Sequence, residues 1–358
     1  MIPKIRVLVV DDSAFMRKSL SIILGSDPEI EIIDTAINGL EAVDKAIKLK
    51  PDLITLDIEM PQMDGLTALK EIMAKSPTAV IMVSSLTTQG ADATLKALEL
   101  GAVDFIPKEM SFVSVDMAHI KKDLTRKVKT IVRQKSLRDR ISQLRNKENT
   151  GLAKRRINTS SSSRFLPKNN YKSITIGIST GGPLSLQKVI PNFSGRLNVP
   201  IFIVQHMPPK FTQSLANRLN SMSKLEVKEA AEGEIVKNGT VYIAPGGHQL
   251  KLRKDTGGNV VVHISENPPN VLHKPSVDVM MESVLSIYGK DTLGIIMTGM
   301  GHDGLNGIKQ LKSLGGHCIA QDEQSCVVYG MPKAVVDENL ADVVASLEKI
   351  PEIVNMAV

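Results

Sequence analysis

Short apolar runs and helical stripes alternate along residues 1–120. Runs at Ile5–Val10, Ile30–Thr35, Leu53–Leu56, Ala79–Val83 and Asp104–Ile106 are strand-sized and bounded by turn residues. Between them, apolar positions recur at helical spacing over Ala14–Leu24, Leu40–Leu49, Gly65–Ala74 and Ala91–Leu100. Strands that alternate with helices pair in parallel, so this half predicts a doubly wound α/β sheet. Such sheets collect their sites at the C-terminal strand ends.

Apolar residues at Leu124, Val128 and Ile131, then at Leu137, Ile141 and Leu144, predict a helix extending out of this first domain. It gives way to a polar, flexible linker through Asn158–Ser163. A second α/β alternation begins at Ser173, with strands at Ile174–Ile178, Pro200–Val204, Gly239–Ala244 and Leu293–Met297. Gln249–Arg253 and Asn259–Ile264 flank Asp255-Thr256-Gly257-Gly258, a β-hairpin signal. The expected divisions are 1–125, a basic linker over 126–172, and 173–358.

Composition narrows the classes of function. The 358 residues exceed one ordinary core. No apolar run approaches a membrane span, and the N-terminus lacks signal-peptide architecture. Cys318 and Cys326 form no disulfide framework, so reduced thiols in a cytoplasmic protein are expected. The net charge of +6 is local: 17 Lys/Arg against three acids lie between Lys121 and Lys172. That run reads as a solvated face, not a nucleic-acid surface, and the absence of Trp argues against base stacking.

Candidate chemistry gathers at strand ends. Asp11 and Asp12 follow the first strand and Asp57 the third, where their mutual repulsion calls for a hard cation such as Mg2+. Ser84 ends the fourth strand and Lys108 follows the fifth, so a carboxylate, a metal, a hydroxyl and an ammonium surround one point. This set suits phosphoryl transfer onto Asp57. Here the chain resembles the receiver domain of bacterial two-component response regulators. The resemblance rests on Val9-Val10-Asp11-Asp12-Ser13, Leu56-Asp57 through Asp64-Gly65, Val83-Ser84-Ser85 and Pro107-Lys108. It implies a flavodoxin-like fold and phosphorylation of Asp57 by a histidine kinase. It also implies metal oxygens from Asp12, Asp57 and the Glu59 carbonyl beside Asp11, with Ser84 and Phe105 at switch positions. Phe105 stands where Tyr is common.

In the second half, Gly177-Ile178-Ser179-Thr180-Gly181 spells G-x-S-x-G between a strand and a helix, a turn that presents a serine hydroxyl at a sheet edge. Dinucleotide binding is disfavoured because G-x-G-x-x-G is absent. His206 ends the strand Ile201–Val204 on the same edge and supplies a base; His248, His263, His273 and His317 lack so clear a strand-end context. Asp303 follows the strand Leu293–Met297 and either orients the imidazole or caps the helix that begins at Leu305. The glycines around Met300 let backbone N–H groups approach an oxyanion, and His302 is a rival base.

This half resembles the chemotaxis protein-glutamate methylesterases, the CheB family. The likeness spans 173 to ~355 through the Ser179 and His206 stretches, Tyr242–Gly247, Lys274–Asp278, Met297–Gly304 and Val328–Pro332. It implies a Rossmann-like doubly wound α/β domain and hydrolysis of glutamyl methyl esters, with deamidation of glutamines, on chemoreceptors. Ser179, His206 and Asp303 would act as a triad, with Met300 and Thr180 at the oxyanion and no cofactor for this step. The receiver would regulate the site, by occlusion in the unphosphorylated state. The competing reading is a non-enzymatic response regulator with a DNA-binding output.

Overall fold

The computed structural model describes residues 3–108, 121–122, 124–134, 166, 170–269 and 271–358. The chain forms two compact units, 1–153 and 154–358. Leu137, Ile141 and Leu144 and the linker Asn158–Ser163 lie outside the described residues.

The first unit is a five-stranded parallel sheet in the order β2-β1-β3-β4-β5. Its strands are β1 (Ile5–Val10), β2 (Ile30–Ala36), β3 (Leu53–Asp57), β4 (Ala79–Ser84) and β5 (Asp104–Pro107). The chain leaves β1 on one side for β2 and returns on the other for β3, so the switch point lies between β1 and β3. Helices α1 (Ala14–Gly25), α2 (Gly39–Leu49), α3 (Gly65–Lys75) and α4 (Thr88–Glu99) follow successive strands. Each starts where a polar side chain accepts from its first turn: Ser13, Asn38, Asp64 and Thr87. Gly65 is obligatory at the start of α3, since a Cβ there would sit 1.9 Å from the Asp57 carbonyl oxygen.

The helix after β5, α5 (residues 124–134), differs from the expectation that it leaves the domain. Its stripe of Leu124, Val128 and Ile131 is buried. Lys127 pairs with Asp104 at 3.0 Å, Lys129 with Asp27 at 2.8 Å and with Glu29 at 3.2 Å, and Arg133 with Glu29. An apolar stripe and complementary charge hold this helix on the first unit, and part of the basic run is neutralised there.

The second unit is a seven-stranded parallel sheet in the order β14-β13-β12-β6-β7-β9-β8. Its strands are β6 (Ser173–Ile178), β7 (Ile201–Gln205), β8 (Glu226–Glu229), β9 (Thr240–Ile243), β12 (Thr292–Ile296), β13 (His317–Gln321) and β14 (Val343–Ala345). Helices α6 (Gly182–Val189), α7 (Phe211–Met222), α8 (Val277–Tyr288), α9 (Leu305–Ser313), α10 (Met331–Asp337) and α11 (Lys349–Ala357) complete the layers. The expected hairpin is β10 (Gln249–Lys254) with β11 (Val260–Ser265), antiparallel and separate from the sheet.

One core cluster joins hairpin, α8 and sheet: Leu250, Leu252 and Val262 meet Met280, Met281 and Val284 beside Phe202, Tyr242 and Ile296. Each such side chain contributes about 1.5–3 kcal/mol on burial. That packing fixes the N-terminus of α8, which matters for the site below. Cys318 and Cys326 are buried and in no disulfide. Among the described residues, no helix is long and apolar enough to cross a membrane.

Candidate hydrolytic site and receiver pocket

In the second unit the three candidate residues leave the C-terminal ends of three adjacent central strands. Ser179 follows β6, His206 follows β7 and Asp303 lies in the loop after β12. The chain runs from β6 to β7 on one side and later returns with β12 on the other, so the switch-point crevice of the sheet lies here.

The turn at Ser179 is tight. Gly182 N–H donates to the Ser179 carbonyl at 2.8 Å, and Ser179 N–H donates to the Thr298 carbonyl at 3.0 Å. Gly181 has φ +75°, and a Cβ there would lie 2.4 Å from the Val327 side chain. A left-handed backbone pressed on a neighbour admits only glycine. The buried Gln205 amide donates to the carbonyls of Ser179 (2.9 Å) and His206 (3.3 Å), tying the two turns together. Ser179 is half-buried, and its hydroxyl makes no hydrogen bond to any described residue.

His206 Nε2 lies 2.8 Å from Asp303 Oδ2, and both side chains are about nine-tenths buried. Nδ1 is buried without a partner. The carboxylate therefore fixes the proton on Nε2 and leaves the Nδ1 lone pair able to accept one. The ring of His273 stacks on His206, with centroids 4.1 Å apart and planes 16° apart.

Asp303 does not cap α9; Gly304 occupies that N-cap position. It sits instead at the N-terminus of α8, accepting from Ser276 Oγ (2.9 Å), Val277 N–H (2.7 Å) and Asp278 N–H (3.1 Å). Burial pushes its carboxyl up, yet the His206 hydrogen bond and charge and the amides of Val277 and Asp278 outweigh burial, holding it well below the usual carboxylate range. His302, the rival base, is exposed, and its ring makes no hydrogen bond to any described residue.

The loop after β12 runs directly beside the serine. Thr298 Oγ1 donates to the Thr180 carbonyl at 3.0 Å, and a Cβ on Gly299 would meet Ser179 Cβ at 2.9 Å. The Val328–Met331 segment braces this loop: Gly299 N–H donates to Val328, while Gly330 and Met331 N–H donate to the Gly299 carbonyl. Thr180 follows Ser179 directly, and Met300 follows Gly299 in the braced loop. His273, Gln205, Ser276 and Asp278 escaped the sequence reading as site residues; the readable signal was Ser276, a helix N-cap within Lys274–Asp278.

In the first unit Asp11, Asp12 and Asp57 offer oxygens within 4.8 Å of one another at the switch point. Lys108 Nζ lies 2.6 Å from Asp57 and 3.9 Å from Asp11. Burial, the dominant influence, lifts the Asp57 carboxyl to about 7 against the opposing Lys108 hydrogen bond, and it lifts Asp11 as well. Asp11 Oδ2 is buried without a hydrogen-bond partner. One ammonium among three carboxylates leaves a deficit that a hard divalent cation fits. Glu59 N–H donates to Asp57 at 3.3 Å, placing its backbone at the pocket. Ser84 is buried with its hydroxyl donating to the Gly90 carbonyl at 3.1 Å, and Phe105 is buried.

Comparison with known proteins agrees with both halves. Residues 174–354 match the CheB methylesterase family and residues 7–118 the response regulator receiver domain. A protein-glutamate methylesterase/protein-glutamine glutaminase of Pyrococcus abyssi is 45% identical over 99% of this chain and 94% of its own length. One from Oleidesulfovibrio alaskensis is 47% identical over 99% of both chains. The crystal structure of the Thermotoga maritima CheB methylesterase catalytic domain is 46% identical, covers 52% of this chain and 99% of its own, and superposes with a TM-score of 0.51. With the site's geometry, these matches establish that the chain belongs to the CheB methylesterase family and carries a response regulator receiver domain ahead of the catalytic one.

Proposed function

We propose that this protein is a phosphorylation-regulated hydrolase that converts glutamyl methyl esters, and glutamine amides, of chemoreceptors to glutamate. The observation that carries the reading is the buried His206–Asp303 pair, whose remaining ring nitrogen has no partner and whose turn is tied to that of Ser179. Ser179 Oγ attacks the side-chain carbonyl while His206 Nδ1 takes the hydroxyl proton. Backbone N–H groups of Met300 and Thr180 face the oxyanion. Collapse breaks the C–O or C–N bond, His206 returns the proton, and methanol or ammonia leaves. Water, deprotonated by His206, then cleaves the acyl-serine to release glutamate and restore Ser179. The DNA-binding alternative finds no support in the family matches.

A fluorophosphonate probe tests this directly. The full-length protein should be modified at Ser179 alone, as read by peptide mass spectrometry. Labelling elsewhere with Ser179 untouched would refute the assignment.

Receiver domains are phosphorylated with Mg2+ present, and Asp11, Asp12, Asp57 and the Glu59 carbonyl are suited to hold it here. When bound, the ion neutralises charge on the incoming phosphoryl group. Asp57 is the acceptor, with a histidine kinase as donor; Lys108 steadies the charge on its carboxylate. Ser84 must turn from Gly90 to reach a phosphate, and Phe105 is buried on the adjacent strand β5. This reading places the reaction in the cytoplasm.

Protons and Mg2+ compete for the same oxygens. Because folding raises the Asp57 carboxyl, the metal-free fold loses this group's stability contribution as pH climbs through about 7. Apparent Mg2+ affinity should therefore rise with pH, by up to about tenfold per unit below 7, and level off above it. Calorimetric titration across that interval checks this; a flat affinity contradicts it.

A further inference from the structure

We propose that Asp278 is a positioning residue of the hydrolytic site, fastening the loop that carries Asp303 and backing the Asp303–His206 pair with a second negative charge. The inference rests on the reading of Ser179, His206 and Asp303 given above.

Asp278 occupies the first turn of α8 and works in two directions. Its N–H donates to Asp303 Oδ1 at 3.1 Å. Its carboxylate points across to α9, accepting from Gly307 N–H at 2.8 Å and from Asn306 Nδ2 at 3.1 Å. The N-terminus of α8 thus holds Asp303, while the N-terminus of α9 is held by Asp278. The two helices exchange carboxylates. The short segment from Asp303 to Gly307 is clamped at both ends, and it has no slack: a Cβ on Gly304 would meet Val277 at 2.8 Å, and one on Gly307 would meet Met281 at 2.6 Å.

A neutral cap at position 278 would hold α9 without placing two carboxylates side by side. Burial first, then the charge of Asp303, push the Asp278 carboxyl up against the opposing hydrogen bonds from Gly307 and Asn306. What an anion adds over a neutral cap is field: its charge acts at Asp303, whose Oδ1 accepts from the Asp278 N–H while its Oδ2 meets the imidazole. There it favours the positive charge that develops on His206 during proton transfer. Among the described residues on neighbouring elements, Lys274 is half-buried next to His273 in sequence. His273 covers one face of His206, His302 and Glu282 are exposed, and Lys309 on α9 pairs with Glu338 at 2.8 Å.

The test compares Asp278→Asn and Asp278→Ala with wild type and Ser179→Ala in the full-length protein. Methanol release from methylated receptors is followed across a pH series with a small-molecule phosphodonor present. Each variant is expressed as a ratio to wild type at the same pH, so titrations within the receiver cancel. Asp278→Asn keeps an oxygen for Gly307 N–H, and Asn306 need only turn its amide, so the fold is retained. Its acid limb of kcat/KM should move to lower pH by on the order of half a unit, with kcat down about threefold and KM unchanged. Asp278→Ala should show the same displacement and lose about tenfold in kcat, since the cap of α9 is removed as well. An Asn variant with the wild-type limb overturns the proposal and leaves Asp278 a helix cap, whatever the Ala variant does. Methanol release retained by Ser179→Ala would instead bring down the triad reading, and this proposal with it.

Discussion

Ser179→Ala should lose ester hydrolysis by at least about 10⁴-fold while phosphorylation of Asp57 proceeds at the wild-type rate. Neither Thr298 nor Ser276 substitutes for it: Thr298 Oγ1 is committed to the Thr180 and Val328 carbonyls, and Ser276 Oγ to Asp303. The turn itself should survive, because its hydrogen bonds run through the Ser179 backbone and not its side chain. Methanol release and phosphoprotein gels, measured on one preparation, separate the two effects. A variant that keeps hydrolysing at more than a few per cent of wild type places the nucleophile elsewhere.

Asp303→Asn should cost about 10³- to 10⁴-fold in kcat and destabilise the catalytic unit as well. Four donors converge on this carboxylate: His206 Nε2 and Val277 N–H on Oδ2, Ser276 Oγ and Asp278 N–H on Oδ1. An amide must turn its NH2 toward one of these pairs, so a backbone N–H in α8 faces a donor in either orientation. If the NH2 takes the Oδ2 side, it also donates to His206 and drives the ring proton onto Nδ1, the atom needed as base. The unmet backbone donor adds about 1–3 kcal/mol of instability, readable by thermal unfolding. The pH dependence has a definite sign. Folding lowers the Asp303 carboxyl, so its stabilisation is full above the ordinary carboxylate range and is lost as pH falls below it. The Asn variant should lack that acid-sensitive component. An Asn variant with wild-type kcat and wild-type stability would contradict the donor geometry.

Much of this site was legible in the chain because two of its three side chains directly follow an apolar strand and the third lies in the loop after one, and only the order β12-β6-β7 was needed to unite them. What stayed hidden depends on distant contacts. His273 lies in a loop without periodicity; Gln249 Nε2 donates to its carbonyl and Gly247 N–H to that of Lys274, both from the start of the hairpin. Asp303 as an α9 cap was a sound local inference that lost to the α8 terminus, which the chain reaches 25 residues earlier. Strand β8 buries chiefly Val227, and β14 is three residues long, so neither projects a pattern. For α5 the stripe was readable but its destination was not, since the acids that receive Lys129 and Arg133 lie about 100 residues upstream.

The placement of β12 between β6 and β13 has a consequence for how the enzyme comes into being. During synthesis, Ser179 and His206 emerge together on neighbouring strands, but their acid arrives roughly a hundred residues later, on a strand that must insert beside β6. A ribosome-bound chain that has not yet exposed Thr292–Ile296 holds an alcohol and an imidazole without the group that orients them. Catalytic competence is therefore withheld until β12 and the loop that carries Asp303 have emerged and joined β6.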